Sequence, residues 1–299
     1  MTTDRQELMD LLKRLDRLAA LGESALRHLS PGDRHEPVDF ATTLAARWAG
    51  GEDGALVAVG DPDLPRSDDL LGIERQLKAL ERNTLQFVRG LPANNVLLWG
   101  ERGTGKSTAV RSLLTRFGPD GLRMIEVQKE QLFALRSIVS TLRHLPWRFV
   151  LYCDDLSFDE HEIDYRELKA LLEGSLEAPP ENVRLYATSN RRHLMPERML
   201  ENTDEEEIHP EERRAEKLSL SDRFGISLGF YPFDQPTYLQ IVRHLAKRRN
   251  IAIDADELER RALHWAGSRG ARSGRVARQF VDDLAGQIAL EADKAGKKA

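Results

Sequence analysis

Cysteine is almost missing from this chain of 299 residues: Cys153 stands alone, which excludes an internal disulfide and a cysteine-built zinc site. Long apolar runs are missing too. The first thirty residues hold no unbroken apolar stretch, and nothing elsewhere approaches the ~18 apolar residues that a membrane span requires. The expected location is therefore the cytoplasm, with no membrane partner. The eight histidines are scattered, without H-E-x-x-H or a similar ligand pair, which argues against a dedicated protein metal site. A strong charge bias is also lacking. The formal net charge is −5, with 31% charged and 40% hydrophobic residues, so composition makes no demand for nucleic acid. The length leaves room for one large domain plus smaller attachments.

What is present is a strand, a glycine turn and a helix in succession. Asn95-Val96-Leu97-Leu98-Trp99 reads as a buried strand, and Gly100-Glu101-Arg102-Gly103-Thr104-Gly105-Lys106-Ser107 follows it. From Lys106 a helix carries Val110, Leu113, Leu114 and Phe117 on one face. This is the context that G-x-x-x-x-G-K-[ST] needs. Glycine lets backbone N–H groups close round phosphate oxygens, adding to the positive end of the helix. Lys106 then reaches the β- and γ-phosphates, and Ser107 Oγ holds a magnesium ion.

Around this unit the chain alternates. Leu8, Leu11, Leu12, Leu15, Leu18, Ala25, Leu26 and Leu29 predict an amphipathic helix over Asp4 to Leu29. A second short helix, capped by Asp39, would put Phe40, Leu44 and Trp48 on one side. These helices need cover, from the main domain, from a protein partner or from a neighbouring subunit. Gly50 to Pro65, with one apolar run from Ala55 to Val59, reads as a linker. After a helix to about Arg89 and the phosphate loop come strands at 122–127, 148–154, 183–188 and 226–230. The helices at 130–145 and 162–176 separate them. That alternation predicts an α/β fold, a parallel five-stranded sheet with helices on both faces. Residues 201–217 are crowded with Asp and Glu and read as a solvated loop. Helices at 236–249, 254–266 and 273–292 predict a small all-α domain. The expected domains are thus 1–66, 67–232 and 233–299.

Two strand ends carry polar residues. Phe149 to Cys153 ends in Asp154-Asp155, and ligands sit at the carboxyl ends of parallel strands. Asp154 would hold magnesium, and Asp155 would orient or deprotonate an attacking water. Cys153 reads as a small core residue. Leu185 to Thr188 ends in Ser189-Asn190, and an amide there would hold the water or touch the γ-phosphate.

The ordered set Gly100 to Ser107, Asp154-Asp155, Asn190, Ser221-Asp222-Arg223-Phe224 and Gly274-Arg275 resembles an AAA+ P-loop ATPase. The wording around Asn94 to Leu98, Cys153 to Phe158 and Ala187 to His193 resembles more narrowly a bacterial AAA+ family of unknown function. The resemblance implies ATP and Mg²⁺ as cofactors and a three-layer core followed by a helical lid. Gly100, Gly103, Thr104, Gly105, Lys106, Ser107 and Thr108 would bind the phosphates, and Asp154 would be the magnesium aspartate. Asn190 matches the first sensor. Arg223 resembles the arginine finger that reaches a neighbouring subunit's γ-phosphate, which implies a homo-oligomer. Arg275 resembles the second sensor, with Arg272 and Arg278 as neighbouring registers. Leu71-Gly72-Ile73 falls where the adenine is cradled. One departure is Asp155, where the superfamily usually has Glu; Asp159 and Glu160 are substitutes to weigh.

Three readings follow. The first is an ATPase whose hydrolysis moves the lid. The second is a nucleotide-gated binding module that cycles slowly, which the short Asp155 keeps open. The third is a nucleic-acid loader built on the basic lid, since residues 243–278 hold ten Arg or Lys against four Asp or Glu. No base-reading motif accompanies that excess.

Overall fold

The computed structural model describes residues 37–51, 54–158, 168–169, 171–172, 180–192, 194 and 221–296. The expected helix over Asp4 to Leu29, the acidic stretch 201–217 and the pair Asp159 and Glu160 lie outside the described residues, as does most of the helix at 162–176. From Val38 onward the chain is one compact unit.

Seven strands form one sheet: β1 (Ala45–Ala49), β2 (Ala55–Ala58), β3 (Val96–Gly100), β4 (Leu122–Glu126), β5 (Arg148–Cys153), β6 (Val183–Ser189) and β7 (Ile226–Phe230). Their order is β2-β1-β4-β5-β6-β3-β7, parallel throughout except for the antiparallel β1–β2 hairpin. The five expected strands form the contiguous block from β4 to β7.

The other two correct the sequence reading. Residues expected as a second short helix form a turn at Asp39 and then β1, and the expected linker contains β2. In β1, Ala46 and Trp48 are buried while Arg47 between them is exposed, which is strand alternation. Trp48 Nε1 donates to Gly51 O at 3.1 Å, closing the turn into β2.

The two faces of the sheet are both covered, because alternate residues of each strand point opposite ways. Leu97, Ile125, Leu151 and Leu185 pack with Leu135, Ile138 and Leu142 of α3 (Leu135–Leu142), which a 3₁₀ segment at Lys129–Ala134 precedes. Val96, Leu98, Met124, Val150 and Tyr186 pack on the other side. Their partners are Leu80 and Phe87 of α1 (Glu74–Val88) and Val110, Leu113 and Phe117 of α2 (Lys106–Phe117).

Three helices follow with a core of their own: α4 (Gln235–Arg248), α5 (Ala255–Arg269) and α6 (Gly274–Gly296). Asp234 caps α4 by accepting from Thr237 N, and Asp254 caps α5 by accepting from Asp256 N and Glu257 N. Tyr238, Val242, Leu258, Ala262, Phe280 and Leu284 bury the apolar stripes. Phe233 contacts both this cluster and the sheet's, so it ties the lid to the core. Among the described residues no helix is long and apolar enough to cross a membrane.

Candidate functional site

The strand order explains why residues far apart in sequence meet. β3 is inserted between β6 and β7, and β5 flanks β6, so the carboxyl ends of β3, β5 and β6 lie side by side. The first emits the glycine loop, the second Asp154-Asp155, and the third Asn190.

The loop is shaped by close approach. Gly100 has φ +127, and a Cβ there would lie 1.9 Å from Phe230 O, so no other residue fits without moving β7. Thr104 Oγ1 donates to Glu101 O at 2.8 Å and holds the turn. Lys106 opens α2 and is only 6% exposed. Its Nζ donates to Gly100 O at 2.8 Å, Glu101 O at 2.7 Å and Asn190 Oδ1 at 3.2 Å. Burial pulls the Lys106 ammonium below the usual lysine range; Asp155, Asp154 and Glu101 oppose this, and Arg275 adds to it. A buried cation surrounded by main-chain dipoles is suited to an incoming polyanion. Thr108 lies half-buried in the first turn of α2.

The acids are held by hydroxyls. Ser107 Oγ donates to Asp154 Oδ1 at 2.7 Å, and Thr188 Oγ1 donates to the same oxygen at 2.5 Å. Burial works to raise the Asp154 pKa. Hydrogen bonding from Thr188, Tyr152 and Ser107, together with the charge of Arg111, outweighs it and leaves the carboxyl below its usual range. Asn190 Nδ2 donates to Asp155 Oδ1, so the amide joins Lys106 to Asp155. Among the described residues no group of three or more His, Cys, Asp or Glu is placed to hold a metal. Ser107 Oγ and Asp154 Oδ1 are nevertheless adjacent hard oxygens, the donors that Mg²⁺ takes when a nucleotide's phosphates supply the rest.

On the lid side, Leu71 packs against the helical cluster, and Ile73 is buried in the sheet's cluster. Side chains of Leu70 and Ile73 lie against Gly105 of the loop. The segment 71–73 thus borders the loop where sheet and lid join. Arg275 at the start of α6 is exposed, and its backbone N–H donates to Gly103 O at 3.2 Å.

Arg223 is not brought to this site within the chain. It precedes β7, whose Ile226 pairs with Val96 while Phe230 pairs with Gly100, so the loop lies at the opposite end of the strand. Four residues at the usual strand rise make that separation about 13 Å. Cys153 is buried, and burial with the Asp154 charge pushes its thiol up to about 12, which makes it an unreactive core residue. Thr188 and Tyr152 escaped the sequence reading as site residues. The buried Tyr152 hydroxyl sits beside Asp154. The available signal for Thr188 was its place at the end of β6, two residues before Asn190.

Comparison with known proteins bears on the fold and the family. A crystal structure described as the FIGL-1 AAA domain in complex with ADP aligns with a TM-score of 0.50 and 22% identity, covering 79% of this chain and 78% of that one. It shows the fold to be that of an AAA domain. Thermotoga maritima RuvB, described as a Holliday junction branch migration motor, aligns at TM-score 0.44 and 15% identity, over 73% of this chain and 71% of its own. A single-substitution form of the same protein gives 0.47 and 16% over the same shares. No curated protein is significantly similar in sequence. Residues 41–288 match the family described as "Protein of unknown function (DUF815)", and the chain belongs to that family.

Proposed function

We propose that this protein is an ATPase that binds Mg-ATP between its sheet core and its helical lid and hydrolyses it to drive conformational change in an oligomer. The observation that carries this reading is the hydrogen-bonded network of Lys106, Ser107, Asp154, Asp155 and Asn190, joined through Thr188, at three neighbouring strand ends. In our reading residues 67–232 form the catalytic core, 233–299 the lid, and 1–66 an N-terminal attachment that would engage a protein partner. A cytoplasmic location supplies the ATP.

The division of labour follows from chemistry. Main-chain N–H groups of Gly103, Thr104 and Gly105 and the ammonium of Lys106 would bind the phosphates, with Thr108 behind them. Mg²⁺ would be held by Ser107 and Asp154 and, when bound, neutralises charge on the phosphate oxygens. Asp155 would orient or deprotonate the water, and Asn190 would steady both water and γ-phosphate. Leu71, Gly72 and Ile73 would border the base. Arg275 would sense the nucleotide from the lid, and Arg223 would act on the site of a neighbouring subunit. Positioning and electrostatics supply most of the rate in phosphoryl transfer.

The test is phosphate release from Mg-ATP by the full chain and by Lys106→Ala. Turnover in the wild type, lost in the variant together with nucleotide binding, is expected. A wild type that binds no nucleotide at millimolar Mg-ATP would sink the reading.

A second reading, a nucleotide-gated binding module, has one observation in its favour: the carboxylate of the short Asp155 is already engaged by Asn190. Tight ATP binding with turnover far below ~1 per second would select it. The nucleic-acid reading loses ground because Arg243, Arg248, Arg249 and Arg260 are each paired with a carboxylate of this chain.

A further inference from the structure

We propose that Thr188 is a positioning residue that sets both acids of the site with one hydroxyl. The inference rests on the ATPase reading above and adds to it a residue that the phosphate-loop pattern does not specify.

The geometry fixes the direction of every bond. Asp155 N–H can only donate, and it donates to Thr188 Oγ1 at 3.0 Å. The hydroxyl proton is then directed to Asp154 Oδ1 at 2.5 Å, an ionised acceptor. The backbone carbonyl of Thr188 accepts from Leu156 N–H at 2.7 Å. Three successive residues after β5 are therefore tied to one residue of β6. Thr188 itself is 1% exposed, so water does not compete for these bonds.

The anchor matters because the turn it holds is unusual. Asp155 has φ 51, in the left-handed region that residues other than glycine rarely enter and that Asp and Asn tolerate best. From that conformation its carboxylate meets Asn190 Nδ2. Asn190 accepts from Lys106, whose neighbour Ser107 donates to Asp154. Thr188 closes the ring by joining Asp154 to Asp155. A side chain one methylene shorter than Glu reaches the sensor amide because the backbone beneath it is turned and pinned.

The test compares Thr188→Val, which keeps the shape and loses the hydroxyl, with Thr188→Ser, which keeps the hydroxyl. For the valine variant we expect Mn²⁺ affinity, measured by paramagnetic resonance with a non-hydrolysable ATP analogue, to fall about 10- to 100-fold, with kcat falling over the same range. Nucleotide affinity in EDTA should change less than about twofold, because the hydroxyl acts on the two acids and not on the main-chain N–H groups that take the phosphates. Serine should restore both within about threefold. Hydrogen exchange of the peptide carrying residues 154–156 gives a readout that needs no nucleotide: faster in Thr188→Val, normal in Thr188→Ser. Wild-type exchange and Mn²⁺ affinity in the valine variant would overturn the proposal. So would equal damage by serine, including the case in which valine fails to fold. A wild type that does not turn over ATP would defeat the ATPase reading alone, since the exchange data still judge Thr188.

Discussion

The backbone N–H of Arg275 donates to the carbonyl oxygen of Gly103 at 3.2 Å, so the first turn of α6 rests on the glycine loop. Gly103 permits this contact. Its φ is +76, and a Cβ would stand 2.8 Å from Ser273 Oγ and 3.0 Å from Arg275 Cβ. Gly103→Ala therefore combines backbone strain with displacement of the lid. Strain of that kind costs roughly 1–3 kcal/mol, equivalent to about one to two orders of magnitude in affinity. Calorimetric titration with ATP should find that loss, and wild-type affinity would contradict the contact. Arg275→Ala keeps the backbone bond and removes only the guanidinium. It should weaken ATP more than ADP.

Asp155 stands where the AAA+ pattern that the sequence resembles usually has Glu, and its backbone conformation gives a prediction that runs against that pattern. Replacing it with Glu adds the usual side chain at a φ of 51, which Glu adopts less readily than Asp. Asp155→Glu should thus turn over no faster than the wild type. Asp155→Asn keeps the local conformation and loses the base, so kcat should fall about 10²- to 10⁴-fold with Mg-ATP affinity retained. Faster hydrolysis by the Glu variant would mean that the turn is not adapted to the shorter acid.

Asp69 links the segment before Leu71-Gly72-Ile73 to the lid: its Oδ1 meets His244 Nε2 at 3.2 Å and the guanidinium of Arg248. Burial works to raise the Asp69 pKa, but the hydrogen bonds and charges of Arg248 and His244 prevail and bring it below its usual value. A carboxyl depressed on folding contributes stability above its unfolded pKa and loses it as pH falls through the folded value. Urea unfolding of wild type and Asp69→Asn should differ by about 1 kcal/mol at pH 7 and converge below about pH 4. A difference that persists undiminished well below that pH would remove the carboxylate charge from the explanation.

The glycine loop, the acid pair and Asn190, which the structure brings to neighbouring strand ends, stand out in the sequence because each is a short local run: glycines beside Lys106, two acids after Cys153, an amide after Ser189. The lid was legible for a different reason, the helical spacing of Tyr238, Val242, Leu258, Ala262, Phe280 and Leu284. β1 was not, because Phe40, Leu44 and Trp48 also fit a helical spacing. What overrides it is tertiary: Ala45, Ala46 and Arg47 pair in parallel with Met124, Ile125 and Glu126, and the hairpin to β2 covers the other edge. Thr188 was invisible in the same way. Nothing in Ala187-Thr188-Ser189 tells which neighbour the hydroxyl meets until β5 is laid beside β6.

Arg223 stands at the end of β7 remote from its own chain's glycine loop, as the pairing of Ile226 with Val96 and of Phe230 with Gly100 dictates. If it contributes to hydrolysis, it does so on another copy's nucleotide. Arg223→Ala should reduce kcat by roughly 10³-fold or more, the value of an arginine finger, with ATP affinity nearly unchanged. A mixing experiment separates action between subunits from action within one. Arg223→Ala retains an intact site without a finger; Lys106→Ala retains the finger without a site. Each alone should be inactive, and co-assembled they should recover a measurable fraction of wild-type turnover. If the mixture stays as inactive as its parts while sedimentation shows mixed oligomers, Arg223 does not serve a neighbour's site.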